Sequence, residues 1–491
     1  MSYPPAPMSQ TSAGSTERDA RDLQRGLAVN LLGYVLKLAH PVLLIGVVRA
    51  FGAEAWGQYT VSEAVLLIAV RVVLLGFDKT LLWWVPRMDA DGEALARLRG
   101  AFWSTLGLSL LSSLLISALF ADAIAAWRGA PEAATALRWM AWTLVPMVIM
   151  ELCISAAIGK RKVESHVLIR DLLVSFCFVG LALVLFYAGL RESGLAIAYF
   201  VAYAIGAAAS LVVFVQLFGM QGLFGRFARP SPELVRYAWP QWGSELLMTA
   251  LARVDVLAVS YWGSPAAVGV YGVVVRVGNA VRSVRRSYDP IVITLMSDIV
   301  ASGDKSRLRE GFSRATVLVM LTQVPIFAAL ALFADELMPL FGAGFDQAIA
   351  PVVIICAFWI LNGAVGLNGF IVSGYGRTDL LLFDLIGMAV YQAIALMMLV
   401  PSYGAVGASI AVGSAHALAN VVQAIQGNKL SGINPYNADV ARAASASLGA
   451  FAAGGAVVWL AAGLGPWPSR LLASVVFGAV LWLTGWRRIM R

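Results

Sequence analysis

Residues 262–290 read WGSPAAVGVYGVVVRVGNAVRSVRRSYDP: a short turn, a membrane-spanning helix with Arg276 near its middle, then a basic exit with Arg282, Arg285 and Arg286. A weaker copy lies 212 residues earlier, FGAEAWGQYTVSEAVLLIAVRVVLLGFDK at 51–79, where Gly57-x-Tyr59 matches Gly269-x-Tyr271 and Arg71 lies inside the helix. Two related halves, each with cations inside the membrane, are what the rest of the chain must accommodate.

Composition sets the solvent. Hydrophobic residues make up 60% of the chain, charged residues 13%, and mean hydropathy is +0.78, against roughly 25% charged residues in an ordinary soluble domain. The chain is an all-α polytopic membrane protein. A hydrocarbon core of about 30 Å takes about 20 apolar residues per helix. That ruler predicts 14 spans, near 27–50, 57–77, 100–121, 137–159, 167–190, 194–218, 236–262, 266–295, 312–334, 350–373, 380–401, 404–427, 442–463 and 470–486. Residues 1–26 are polar and rich in Pro, Ser and Thr, and are expected to form a disordered tail. Cys153, Cys177 and Cys356 all sit in apolar runs and read as small buried hydrophobes rather than disulfide or metal ligands.

With a cytoplasmic N-terminus, 27 of the 36 lysines and arginines fall on inner segments and 5 on outer ones, namely Arg49, Arg128, Arg138, Arg191 and Arg470. This is the positive-inside pattern. It places both termini in the cytoplasm and assigns the +8 net charge to topology rather than to a nucleic-acid partner.

A second echo joins AAIGKRKVESHVLIRD (156–171) to IVSGYGRTDLLLFD (371–384), each a Gly/basic turn leading into a helix with Asp171 or Asp384 near its start. Copies six spans apart with the same topology imply a parallel repeat about an axis along the membrane normal. The expected organisation is an N-lobe at 27–218 (spans 1–6), a C-lobe at 236–427 (spans 7–12) and two added spans at 442–486.

Four cations remain within the membrane: Lys37, Arg71, Arg253 and Arg276, on the first two spans of each lobe. Each costs at least about 2.5–3.5 kcal/mol at a helix centre, so they are expected to face a shared cavity lined by spans 1, 2, 7 and 8. Glu63, Glu245 and Asp255 lie nearby, which leaves a positive excess suited to an anion. Arginine's planar fork favours phosphate, with Arg282, Arg285 and Arg286 extending the field to the cytoplasmic mouth. The competing structural reading is that these cations, Lys37 and Arg276 included, only pair with carboxylates to fix helix packing, Arg71 with Glu63 and Arg253 with Glu245. His40 and His416 read as buried hydrogen-bonding residues before proton relays, and Trp83 and Trp84 beside Arg87 as an interfacial anchor before a sugar-stacking surface. No phosphate-binding G-x-x-x-x-G-K-[ST] loop and no H-E-x-x-H or paired-Cys metal spacing occurs. The chain therefore reads as a non-enzyme without a cofactor, and Glu63, Glu245, Asp255 and Asp384 are the carboxylates available for proton or sodium coupling.

These segments resemble the polysaccharide-biosynthesis (Wzx-type) flippases of the multidrug/oligosaccharidyl-lipid/polysaccharide exporter superfamily. The resemblance is carried by FGAEAWGQY and RVVLLGFDKTLLWWVPR, by SPAAVGVYGVVVRVGNAV, GDKSRLREGFSRA and ELMPLFGAGFDQA, and by SGYGRTDLLLFDLIGM leading to PSYGAVGASIAV. It covers roughly 20–430 and implies a V-shaped pair of six-helix lobes. Such a protein moves undecaprenyl-diphosphate-linked oligosaccharide from the inner to the outer leaflet of the bacterial cytoplasmic membrane, alongside membrane lipids and polysaccharide polymerase machinery. Membrane-embedded cations of that family line the central cavity, which here implies Lys37, Arg71, Arg253 and Arg276. The rivals are a peptidoglycan lipid-precursor flippase, a cation-coupled multidrug exporter, whose cavity would be acidic, and a non-transporting scaffold of a polysaccharide assembly complex.

Overall fold

The computed structural model describes residues 13–88, 92–127, 132–191, 193–365, 367–434 and 436–486, with side chains from Val42 onward apart from a few positions. Every described element is helical. The first half holds α1 (Ala13–Leu74), α2 (Phe77–Trp84), α3 (Gly92–Leu115), α4 (Ala121–Trp127), α5 (Glu132–Ala141), α6 (Leu144–Gly159), α7 (Ser175–Tyr187) and α8 (Gly194–Phe218). The second holds α9 (Pro232–Leu251), α10 (Val254–Trp262), α11 (Pro265–Arg286), α12 (Asp289–Ser302), α13 (Lys305–Leu337), α14 (Ile349–Val365), α15 (Asn368–Gly374) and α16 (Thr378–Ser431). Helices α17 (Ala438–Leu460) and α18 (Pro466–Leu481) follow.

Among the described residues, each of the 14 expected spans falls largely on helical backbone. Two pairs are fused into single long helices that bend at glycine: α1 at Gly52 (φ 81°) and α16 at Gly404 (φ 50°). Only glycine takes such angles without strain. Ten described helical segments are long and apolar enough to cross a membrane. The shortfall from 14 has physical causes. α16 counts once for two legs, the first leg of α1 lacks described side chains before Val42, and α9–α12 are interrupted and polar.

Those interruptions correct the expected bounds. Span 7 breaks at Ala252–Arg253, and span 8 ends at Arg286 before a separate α12. The tail is also corrected: residues 1–12 lie outside the described residues, but the backbone is helical from Ala13. The run Thr16-Glu-Arg-Asp-Ala-Arg-Asp-Leu-Gln-Arg25 combines helix formers with opposite charges four apart, at Glu17/Arg21 and Arg18/Asp22, which favours helix despite the polarity.

Both sequence echoes reappear in the backbone. A Cβ at Gly57 would lie 1.8 Å from the Pro265 carbonyl oxygen, and one at Gly269 would lie 1.9 Å from that of Ala53. The two contacts exchange under the 212-residue offset, as a two-fold axis requires. Between them a Cβ at Gly272 would meet Thr60 Oγ1 at 2.7 Å, and these two positions are each other's equivalents. The turns after α6 and α15 correspond as well. Lys162 N–H donates to Ala157 O (2.9 Å) and Arg377 N–H to Val372 O (3.2 Å), closing around Arg161 (φ 65°) and Gly376 (φ 72°), both Schellman-type caps.

The largest apolar cluster runs through both halves and is continuous across the crossing, with Trp56, Val268, Tyr271 and Val274 buried in it. A smaller one fastens α17 and α18 onto α13 through Val324, Ala328, Ala450 and Phe477.

Candidate functional site: two cavities sharing one helix wall

Helix α11 separates two cavities. Tyr271, Val275, Asn279, Arg282 and Arg286 recur at three- and four-residue spacing, which gathers them on one face, and they line a cavity of about 340 Å³. Arg276 faces away and lines a second cavity of about 240 Å³ with Tyr59, Glu63, Arg170, Tyr199 and Tyr203.

The larger cavity is cationic. Arg253 enters it from the break between α9 and α10, where its backbone leaves the helical region (φ −132°). Arg253 has no ion pair with any described residue. A broken membrane helix offers the N-terminal amides of its second piece to an anion, so the break and the side chain act together.

Arg282 stacks over Trp359 (4.4 Å to the ring centroid), and its terminal nitrogen lies 3.3 Å from His416 Nε2. Because His416 Nδ1 contacts the Val412 carbonyl at 3.0 Å, which only accepts, Nδ1 carries the proton and Nε2 accepts from Arg282. His416 is thus a neutral brace for a guanidinium, not one stage of a proton chain. The buried Nε of Arg282 has no hydrogen-bond partner among the described residues.

Asp255, the one carboxylate among the described residues lining this cavity, is already engaged: it accepts from the Tyr271 hydroxyl at 2.7 Å and from the Val256 amide at 2.8 Å. Three guanidiniums against one hydrogen-bonded carboxylate leave the cavity positive.

The smaller cavity holds ion pairs. Arg276 bridges to Glu63 at 2.8 Å, joining the two halves, and its guanidinium lies over Trp56 (4.5 Å) and Tyr59 (5.5 Å). Tyr59 also donates to Glu63 at 3.1 Å. Arg170 pairs with Glu151 at 2.9 Å from a π-helical stretch, residues 166–174.

The single cavity expected for Lys37, Arg71, Arg253 and Arg276 is therefore redrawn. Arg253 is in the open cavity with Arg282 and Arg286. Arg276 is in the ion-paired one. Arg71 pairs with Asp78 at 2.9 Å and lines neither. The side chains of Lys37 and His40 lie outside the described residues.

The pairings of the competing reading, Arg71 with Glu63 and Arg253 with Glu245, do not form: Glu63 meets Arg276, and Glu245 meets Lys79 at 3.3 Å. Arg285 reaches Asp289 at 3.7 Å instead of the cavity. Asp384 accepts from Gln426 at 2.8 Å, between the two legs of α16. Trp83 stacks on Tyr237 of the other half at 4.6 Å with Arg87 above it (4.9 Å), so it is a clasp between halves. Asp78, Glu151 and Arg170 were not singled out from sequence. Their signal was charge within an apolar run, which counting Arg170 among the inner-segment cations obscured.

Comparison with solved structures gives the fold. The lipid II flippase MurJ in an inward closed conformation superposes with a TM-score of 0.74 at 12% identity, over 95% of this chain and 99% of that one. An inward-facing multidrug resistance MATE family transporter of the MOP superfamily gives 0.61 at 16% identity, over 80% and 94%. A Vibrio cholerae MATE transporter gives 0.57 at 16%, over 86% and 99%. Comparison with curated protein sequences finds no match. The model of a family described as polysaccharide biosynthesis protein matches residues 47–350, more than half of the chain, and by that match the chain belongs to this family.

Proposed function

We propose that this protein is a flippase that carries a polyprenyl-diphosphate-linked oligosaccharide from the inner to the outer leaflet by alternating access. One observation supports the reading above others: the cavity where Arg253, Arg282 and Arg286 converge on a helix break with its lone carboxylate already hydrogen-bonded. Guanidinium forks suit a diphosphate, and a cationic cavity disfavours the organic cations of a drug exporter. The sugars occupy the polar lining while the polyprenyl chain stays in lipid between the halves, which rock as two lobes with both termini in the cytoplasm.

In this reading the Glu63–Arg276 bridge and the Gly57/Gly269 crossing hold the outward end shut. An anion drawn along α11 competes with Glu63 for Arg276 and weakens that closure. Outward movement of two negative charges through an inside-negative potential is favourable by roughly 2.3 kcal/mol per charge per 100 mV, so no nucleotide hydrolysis is required.

The test is leaflet crossing of a fluorescent polyprenyl-diphosphate-linked sugar in liposomes of purified protein. Arg253→Ala/Arg286→Ala should abolish crossing without lowering the melting temperature. Undiminished crossing by the double variant would overturn the cavity assignment, and absence of crossing by the wild type would favour a scaffold.

A further inference from the structure

A third cavity, of about 450 Å³, opens beside the Gly52 bend, at the same end of the bundle as the Gly57/Gly269 crossing. Its floor is Phe51, just before the bend, and one face of the second leg of α1, where Glu54, Ala55 and Gln58 recur at helical spacing. Opposite stand Trp139 of α5, 56% exposed, and Arg191 in the turn after α7. Arg191 lies over the Phe186 ring at 5.6 Å, which holds the guanidinium at the rim.

We propose that this cavity is a saccharide-binding site. Its volume lies in the range of roughly 300–1,000 Å³ typical of small-ligand pockets, and it combines an aromatic plate with a few polar groups. Glu54 and Gln58 make no side-chain hydrogen bond or ion pair with a described residue. Neighbouring Arg138 is committed to Asp122 at 2.5 Å, so among the described residues Arg191 is the cation left to the cavity.

This set selects a ligand class by exclusion. Glu54 repels a bare phosphate, and the polar side chains, Glu54, Gln58 and Arg191 foremost, penalise an apolar guest that leaves them unpaired. A sugar ring meets every requirement. Its C–H face packs on the indole, which is apolar across the ring with a polar tip. Its hydroxyls donate to Glu54, accept from Arg191, and do both with Gln58. A tryptophan that only anchors the chain at the membrane interface would have no need of these three groups around it.

The assignment of a role rests on the flippase reading: at the outward end, such a site captures the glycan of a newly delivered lipid-linked substrate. Glycans already outside the membrane offer the same chemistry.

Saturation-transfer NMR on the full chain in nanodiscs, with lactose and diacetylchitobiose as probes, tests the site. Saturable binding of at least one probe is expected. Trp139→Ala and Glu54→Gln/Arg191→Gln should each weaken it at least about tenfold, Trp139→Phe should retain most of it, and Arg253→Ala should leave it unchanged. No saturable binding by the wild type, or equal binding by Trp139→Ala of unchanged melting temperature, overturns the proposal. Displacement of the probe by a polyprenyl-diphosphate-linked sugar in the same nanodiscs assigns the delivered glycan as ligand. Displacement by soluble polysaccharide alone assigns an external glycan and overturns the capture role. Trp139-dependent binding in a protein that flips no lipid-linked sugar would sink the flippase reading and leave the saccharide site standing.

Discussion

Replacing Gly57 by alanine should push the protein out of the closed state described here. The added methyl would sit 1.8 Å from the Pro265 carbonyl oxygen, little more than half of a normal carbon–oxygen approach, and the obstacle is backbone that no rotamer change removes. α1 and α11 must therefore separate at this level. Overpacking of this kind costs typically about 1–3 kcal/mol, which corresponds to roughly a 5- to 150-fold change in a two-state equilibrium. Alanine's better helix propensity, about 1 kcal/mol over glycine, acts equally in open and closed states and does not offset the shift. Thr60, 3% exposed beneath the crossing, reports on it. In a chain with Cys153, Cys177 and Cys356 replaced by alanine, Thr60→Cys should react with a membrane-impermeant maleimide at least about tenfold faster when Gly57→Ala is present. Gly269→Ala should do the same, because its methyl meets Ala53 in the equivalent way. Unchanged labelling in a variant that melts normally would refute the idea that glycine contact holds this end shut.

Three further outcomes follow from particular contacts. Glu63→Gln keeps the shape of the bridge to Arg276 but removes its charge, at a cost of about 1.5–3 kcal/mol for a charge-assisted bond; it should lower the melting temperature and raise Thr60→Cys labelling, and Arg276→Gln added to it should cost less than the two changes summed. Arg99→Ala should be among the most damaging single changes, since this 6%-exposed guanidinium donates to the carbonyls of Arg226 (2.9 Å), Gln221 (2.5 Å) and Phe224 (3.3 Å) and so fastens the connection between the halves; a wild-type yield of monodisperse protein by size-exclusion chromatography would contradict this. Arg470→Ala releases α18 from Asp335 (2.7 Å) and Glu336, and should speed proteolysis of the C-terminal helix pair while leaving probe binding at Trp139 intact.

Much of this architecture was legible because the membrane imposes a length scale and the repeat imposes a correspondence. Gly57-x-Tyr59 and Gly269-x-Tyr271 identify the crossing, since only glycine admits backbone at that range. The cationic character of the interior was legible from Arg253 and Arg276 for the same reason, the expense of a charge in hydrocarbon. Pairing was not, because partners depend on how each helix is rotated and how deep it sits. Arg71 points to Asp78, seven residues on across the Gly76 turn, and Glu63 crosses to the other half. The break at Ala252–Arg253 has neither glycine nor proline at it to announce it. The π-helical stretch at 166–174 shifts the side-chain register and brings Arg170, counted from sequence among the inner-segment cations, to Glu151. Arg282 was read as part of the basic exit towards the cytoplasmic mouth because Trp359 and His416, which hold it inside the cavity, are 77 and 134 residues away.

Thr60 and Gly272 occupy the point where the chain's two copies meet on their common axis. Any residue there faces its own counterpart, so a duplicated chain that kept threonine in both copies would collide with itself, and one that kept glycine in both would leave a void. One side chain facing none is a ball resting in a socket. A contact at the axis has no lever arm, whereas Arg286, 14 residues further along α11 at about 1.5 Å per residue, has one of about 21 Å. A tilt of roughly 15°, the size of a known interdomain rotation, would carry that arginine about 5 Å and leave Thr60 where it is. In the proposed rocking of the halves, the bearing that stays still and the charge that travels would thus belong to a single helix.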